Sequence, residues 1–122
     1  MMKATKADLL VRTKEFALRV VRLYSALPKT TEAQVMGKQV LRSGTSVGAQ
    51  LREGKRSRSD AEMISKTEGA LQELEETMYW FELLEDSGIV KPALLSNLKN
   101  EADELTAILV TSVKTLEGRR NQ

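Results

Sequence analysis

Apolar side chains recur along almost the whole chain at spacings of three and four residues, a period that commits it to amphipathic helices packed side by side. Leu9, Thr13, Phe16, Val20, Leu23 and Leu27 form one stripe, and Ala33, Met36, Val40, Val47 and Leu51 a second. Ile64, Thr67, Leu71, Leu74, Met78 and Phe81 form a third, and Leu95, Leu98, Ala102, Leu105, Leu109 and Leu116 a fourth. Between the stripes stand stop and start signals. Pro28 ends the first, residues 54–59 (GKRSRS) make a turn, Ser87-Gly88 closes the third and Pro92 opens the fourth. Thr5-x-x-Asp8, Thr31-x-x-Gln34 and Ser59-x-x-Glu62 read as capping boxes. The spacing predicts helices over about 5–27, 31–56, 59–87 and 92–117, with a frayed tail from Gly118. Residues 1–122 form a single domain, an all-α antiparallel up-down-up-down four-helix bundle.

Composition agrees. Aromatics are 4% of the 122 residues, and the filling is Leu, Val, Ala and Met, which suits helix packing better than sheets. Gly37, Gly44 and Gly48 fall inside the second helix, where each costs about 1 kcal/mol relative to alanine. Either a neighbouring helix approaches the backbone closely there, or the helix breaks around Ser43-Gly44-Thr45. Close packing is the reading adopted.

The chain has no cysteine and no histidine. Disulfides, thiolate metal sites, the commonest zinc ligand and the commonest general base are thereby removed. Glu73, Glu75, Glu76, Glu82 and Glu85 cannot build a carboxylate di-iron bundle, which needs Glu-x-x-His pairs. Ser43, Thr45, Ser46, Ser57 and Ser59 lack a base to activate them. No phosphate-binding Gly-x-x-x-x-Gly-Lys-Ser/Thr motif occurs. No catalytic residue, metal or cofactor is expected, and the chain reads as non-enzymatic. It has neither a membrane-length apolar run nor a signal-peptide core near its start, so the expected location is cytoplasmic.

Net charge is only +2, but it is sorted along the chain. Residues 1–27 carry Lys3, Lys6, Arg12, Lys14, Arg19 and Arg22 against Asp8 and Glu15. Residues 38–58 carry Lys38, Arg42, Arg52, Lys55, Arg56 and Arg58 against Glu53 alone, which should pair with them. Residues 60–86 carry nine acids against Lys66. Arg42, Arg52, Lys55, Arg56 and Arg58 are the candidate nucleic-acid contacts, since clustered guanidinium groups match phosphates in charge and geometry. The competing account pairs these cations with the acidic third helix, within or between subunits. Tyr79, Trp80, Leu83 and Leu84 do not share one stripe, which suggests a second apolar face and an oligomer interface.

The central run Arg42-Ser43-Gly44-Thr45-Ser46-Val47-Gly48-Ala49-Gln50-Leu51-Arg52-Glu53-Gly54 continues into Arg56-x-Arg58-Ser59-x-Ala61-Glu62-x-Ile64 and Glu68-Gly69-Ala70-Leu71-Gln72-Glu73-Leu74-Glu75-Glu76. With Phe16-Ala17-Leu18-Arg19-Val20, Leu27-Pro28 and Gln34-Val35-Met36-Gly37-Lys38-Gln39 upstream, it resembles the bacterial four-helix-bundle family of 23S ribosomal RNA intervening-sequence proteins. The resemblance covers essentially the whole chain. It implies an antiparallel bundle with a basic surface, assembled into a homopentamer, and carries no enzymatic activity with it. Some members of that family are encoded within intervening sequences of ribosomal RNA genes. A distant relative, the accessory protein of diversity-generating retroelements, binds reverse transcriptase and nucleic acid. Gln50 stands where the family usually has Asn, and Leu51 where Tyr or Ile is frequent. Expected partners are further copies of the chain, RNA or DNA, or a partner protein, without a membrane. The first reading is an oligomeric nucleic-acid-associated bundle. Its alternative is a protein-interaction scaffold whose charges serve assembly.

Overall fold

The computed structural model describes residues 6–121, in four helices: α1 (Lys6–Ala26), α2 (Thr31–Lys55), α3 (Asp60–Asp86) and α4 (Pro92–Arg120). Thr5, the expected cap of α1, lies outside the described residues. Contacts fix the directions. Gly37 of α2 lies against Tyr24 and Leu27, whereas Gly48, further along α2, lies against Thr13. Arg42 pairs with Glu73 and Glu76 of α3, and Gly54 abuts Met63 and Lys66. Lys99 meets Glu85 near the start of α4, and Arg119 meets Asp60 near its end. Successive helices therefore run in opposite directions. Among neighbouring helices, α2 and α3 share the longest seam and α1 and α4 the shortest.

The stripes converge on one core. Phe16, Val20, Val40, Val47, Leu74, Phe81, Leu95, Leu105 and Leu109 are essentially sealed from solvent. Phe16 and Phe81 meet edge to face at 6.4 Å, joining the diagonal pair α1 and α3 through their side chains. Two details differ from the expected third stripe. Ala70 and Thr77 are fully buried, while Leu71 and Met78 are partly exposed. The inward line on α3 is thus smaller-grained than the leucines suggest, and Thr77 bonds the Ser43 hydroxyl at 2.7 Å inside the α2–α3 seam.

α2 is unbroken through all three interior glycines. A Cβ on Gly37 would sit 2.6 Å from Leu27 Cδ1, and one on Gly44 would sit 2.9 Å from Val20 Cγ2. Close approach of α1, and not a break, explains them. The caps fall near their predicted places. Thr30 rather than Thr31 caps α2, accepting from the Ala33 N–H, and Gln34 reaches back to the Pro28 carbonyl. Ser59 accepts from the Glu62 N–H, and Glu62 returns a carboxylate to the N–H of Arg58. Gly88 takes φ +78° after α3, where the Ile89 N–H bonds the Leu84 carbonyl. α4 runs on to Arg120, past the predicted end at Gly118.

Candidate nucleic-acid interface

The α2–α3 turn is built by a glycine. At Gly54 a Cβ would lie 3.0 Å from Met63 Sδ and 3.2 Å from Lys66 Cβ, so only a bare backbone lets the last turn of α2 rest on the first turns of α3. Leu51 and Gly54 face inward, which turns Arg52, Lys55 and Arg56 outward. The Arg56 and Ser57 N–H groups bond the Glu53 and Gly54 carbonyls, closing α2, and Ser59 opens α3 three residues after Arg56. Arg58 lies between them, exposed. Four cations thus share one reversal of the chain.

None of Arg52, Lys55, Arg56 and Arg58 forms a side-chain ion pair among the described residues. Glu53, expected to neutralise its cationic neighbours, reaches across to Lys66 on α3 at 3.6 Å. Asp60 is engaged by Arg119 at 2.7 Å. Glu53 and Asp60 therefore have other partners, while the Glu62 carboxylate accepts the Arg58 N–H at 3.3 Å and sits beside the cluster without pairing any of its four side chains. Arg52 and Lys55 also offset the partial negative charge at the C-terminus of α2. Ser57 Oγ, enclosed by the turn, has no hydrogen-bond partner among the described residues.

Arg42 stands apart. It lies almost three helical turns from Arg52 and is held by Gln39, Glu73 and Glu76, the arrangement expected of a cation that fastens α2 to α3. Glu76 also accepts the indole N–H of Trp80 at 3.0 Å. Gln50 lies over Gly69, within 3.0 Å of where a Cβ would be, and faces α3. The groove beside it is lined by Lys66 and Glu68 among others, one charge of each sign, and favours no anion.

The proposed apolar face near the end of α3 divides. Leu84 is fully buried in the monomer core, so it is not part of an exposed surface. Its place in the stripe follows from Thr77 and Phe81, seven and three residues earlier, which the alternative line through Met78 concealed. Trp80 packs partly against the core and Leu83 is half-buried. Tyr79 is exposed and meets Trp80 edge to face at 5.2 Å. Both rings lie some twenty residues along α3 from the turn, roughly 30 Å away, too far to stack on bases held there.

Elsewhere Arg12 grips Glu101 of α4 through two hydrogen bonds at 3.1 and 2.5 Å. The bonded carboxylate raises the Arg12 pKa, against the opposing effect of burial. Among the described residues no helix is long and apolar enough to cross a membrane, and no three acidic side chains gather where a metal could bind.

The fold and its turn define a small all-α bundle with four exposed cations at one reversal of the chain. The family model for 23S rRNA-intervening sequence proteins matches residues 5–111, and the chain belongs to that family. It is similar to a crystal structure, at 1.70 Å resolution, of a protein of unknown function from the S23 ribosomal protein family of Bacteroides thetaiotaomicron VPI-5482. The two are 37% identical with a TM-score of 0.84, over 89% of this chain and 97% of that one. No curated protein matches the chain.

Proposed function

We propose that the protein is a non-enzymatic, self-assembling cytoplasmic bundle that holds RNA or another nucleic acid by its phosphates, through Arg52, Lys55, Arg56 and Arg58. One observation carries this reading: four exposed cations crowd a single turn and none forms a side-chain ion pair among the described residues, with Glu53 engaged by Lys66, Asp60 by Arg119 and Glu62 by the Arg58 N–H. Arg42 is left out because its guanidinium is occupied by α3. The absence of an aromatic ring near the turn favours backbone contacts over base readout, hence weak sequence preference. The expected copy number, five, comes from the family resemblance.

The test is filter binding of a short single-stranded RNA across salt concentrations. Neutralising four phosphates gives an affinity that falls roughly 50-fold between about 50 and 200 mM salt. Arg52→Glu/Arg56→Glu should abolish retention and leave the assembly intact. A flat salt response, or no retention at low salt, overturns the proposal.

A second reading, a protein-interaction scaffold whose basic and acidic faces pair between copies or with a partner protein, has its own observation. Glu68, Glu75 and Glu82 along α3 are exposed and form no ion pair among the described residues, which leaves them open to the turn cations of another copy. Under it the same double variant breaks up the assembly. Size-exclusion chromatography with light scattering separates the two.

A further inference from the structure

The outward face of α1 carries Val11, Leu18 and Val21, which are 57%, 45% and 40% exposed. Helical spacing puts them on one side of α1, since residues seven apart drift by only about 20°. Lys14, Arg19 and Arg22 flank them and form no ion pair among the described residues; Asp8 and Glu15, seven residues apart, are the acids on that side. The outward face of α3 is the complement. Glu68, Glu75 and Glu82 recur every seven residues, all exposed and none in an ion pair among the described residues, with Tyr79 between them at 54% exposure. Both faces repeat about every 10 Å along their helices.

A single protomer cannot join these faces. α1 and α3 lie on the diagonal of the bundle and meet only through core side chains such as Phe16 and Phe81, so their outer faces point in opposite directions. α2 offers the acidic ridge a poorer match. Its exposed cations are accompanied by one exposed large apolar residue, Val35, and Arg42 is already paired. An interface needs an apolar centre with a charged rim, and α1 has both.

We infer that the α1 face docks on the α3 face of a second copy of this chain, head to tail, with Val11, Leu18 and Val21 against the Tyr79 side and Lys14 and Arg22 beside Glu75 and Glu82. The inference rests on the self-assembly in the reading above and names its surfaces. Two different patches on opposite sides make the contact heterologous, so copies add in sequence and close into a ring instead of stopping at a pair. The basic α2–α3 turn belongs to neither patch and stays open.

Charge reversal tests this in the full chain. Lys14→Glu/Arg22→Glu gives a protein acidic on both faces, and Glu75→Lys/Glu82→Lys gives one basic on both. By light scattering each should be monomeric, with wild-type helicity by circular dichroism. Mixing the two should restore association into species that contain both in alternation, open-ended or even in copy number instead of a closed five, because only alternation sets each α1 against an opposite α3. Leu18→Ser, which changes no charge, should weaken assembly about tenfold in dissociation constant, the effect of losing one apolar side chain at a contact. A wild-type chain that is monomeric at all concentrations removes the self-assembly reading itself. An oligomeric wild type whose mass neither reversal alters overturns the α1–α3 contact alone, as does a mixture that stays monomeric.

Discussion

Gly37 and Gly118 are both helical glycines with opposite roles. Around Gly37 a Cβ would meet Leu27 at 2.6 Å and Tyr24 at 2.9 Å, whereas Gly118 has nothing within 4 Å. Gly37→Ala should cost about 1–3 kcal/mol through overpacking, even though alanine is the better helix former. Gly118→Ala should raise stability by roughly 0.5 kcal/mol. Thermal unfolding followed by circular dichroism reads both, and the same sign for the two would contradict the close α1–α2 approach. The sequence pattern marks Gly37 as special only because two more glycines share its helix. It does not say which neighbour comes close.

Arg12 and Glu101 form the clearest link across the α1–α4 seam. Arg12 sits level with Gly48 on α2, yet it pairs with the half of α4 that lies beside the end of α3. That seam is therefore offset from the other three. Glu101→Gln should cost about 1–2 kcal/mol, because it leaves a part-buried guanidinium short of its charged partner. The raised Arg12 pKa fixes the pH dependence. A cation whose folded pKa lies above its unfolded value contributes its full stability below the unfolded pKa and loses it only as pH rises through the folded one. The arginine contribution is then constant from about pH 6 to pH 10, and urea denaturation at several pH values should return one difference between wild type and variant. A difference that collapses below about pH 9 would rule out this source.

On the scale of the molecule, α2 and α3 form the spine, and the final turns of α4 hang from one side of it. Beyond Val113 the side chains of α4 are largely exposed, and α1 scarcely reaches that far. Amides of residues 114–120 should exchange with solvent well before those of 40–51 and 67–84, in a native-state hydrogen-exchange experiment on the full chain. Uniform protection along α4 would mean that another surface covers its end.

Much of the architecture is local and therefore written into the chain. Stripes of three-four spacing, Pro28, Gly88 and Pro92 fix four helices and their ends, because helix periodicity and stop signals act within a few residues of themselves. The basic turn is legible for the same reason: Arg52, Lys55, Arg56 and Arg58 are neighbours in sequence before they are neighbours in space. What each charge meets is another matter. Arg42 is withdrawn by Glu73 and Glu76, Glu53 is taken by Lys66, and Leu84 is claimed by the core, all through contacts between separate helices. Period sets which face turns inward, but only the rotation and register of packed helices decide which side chains lie across the seam.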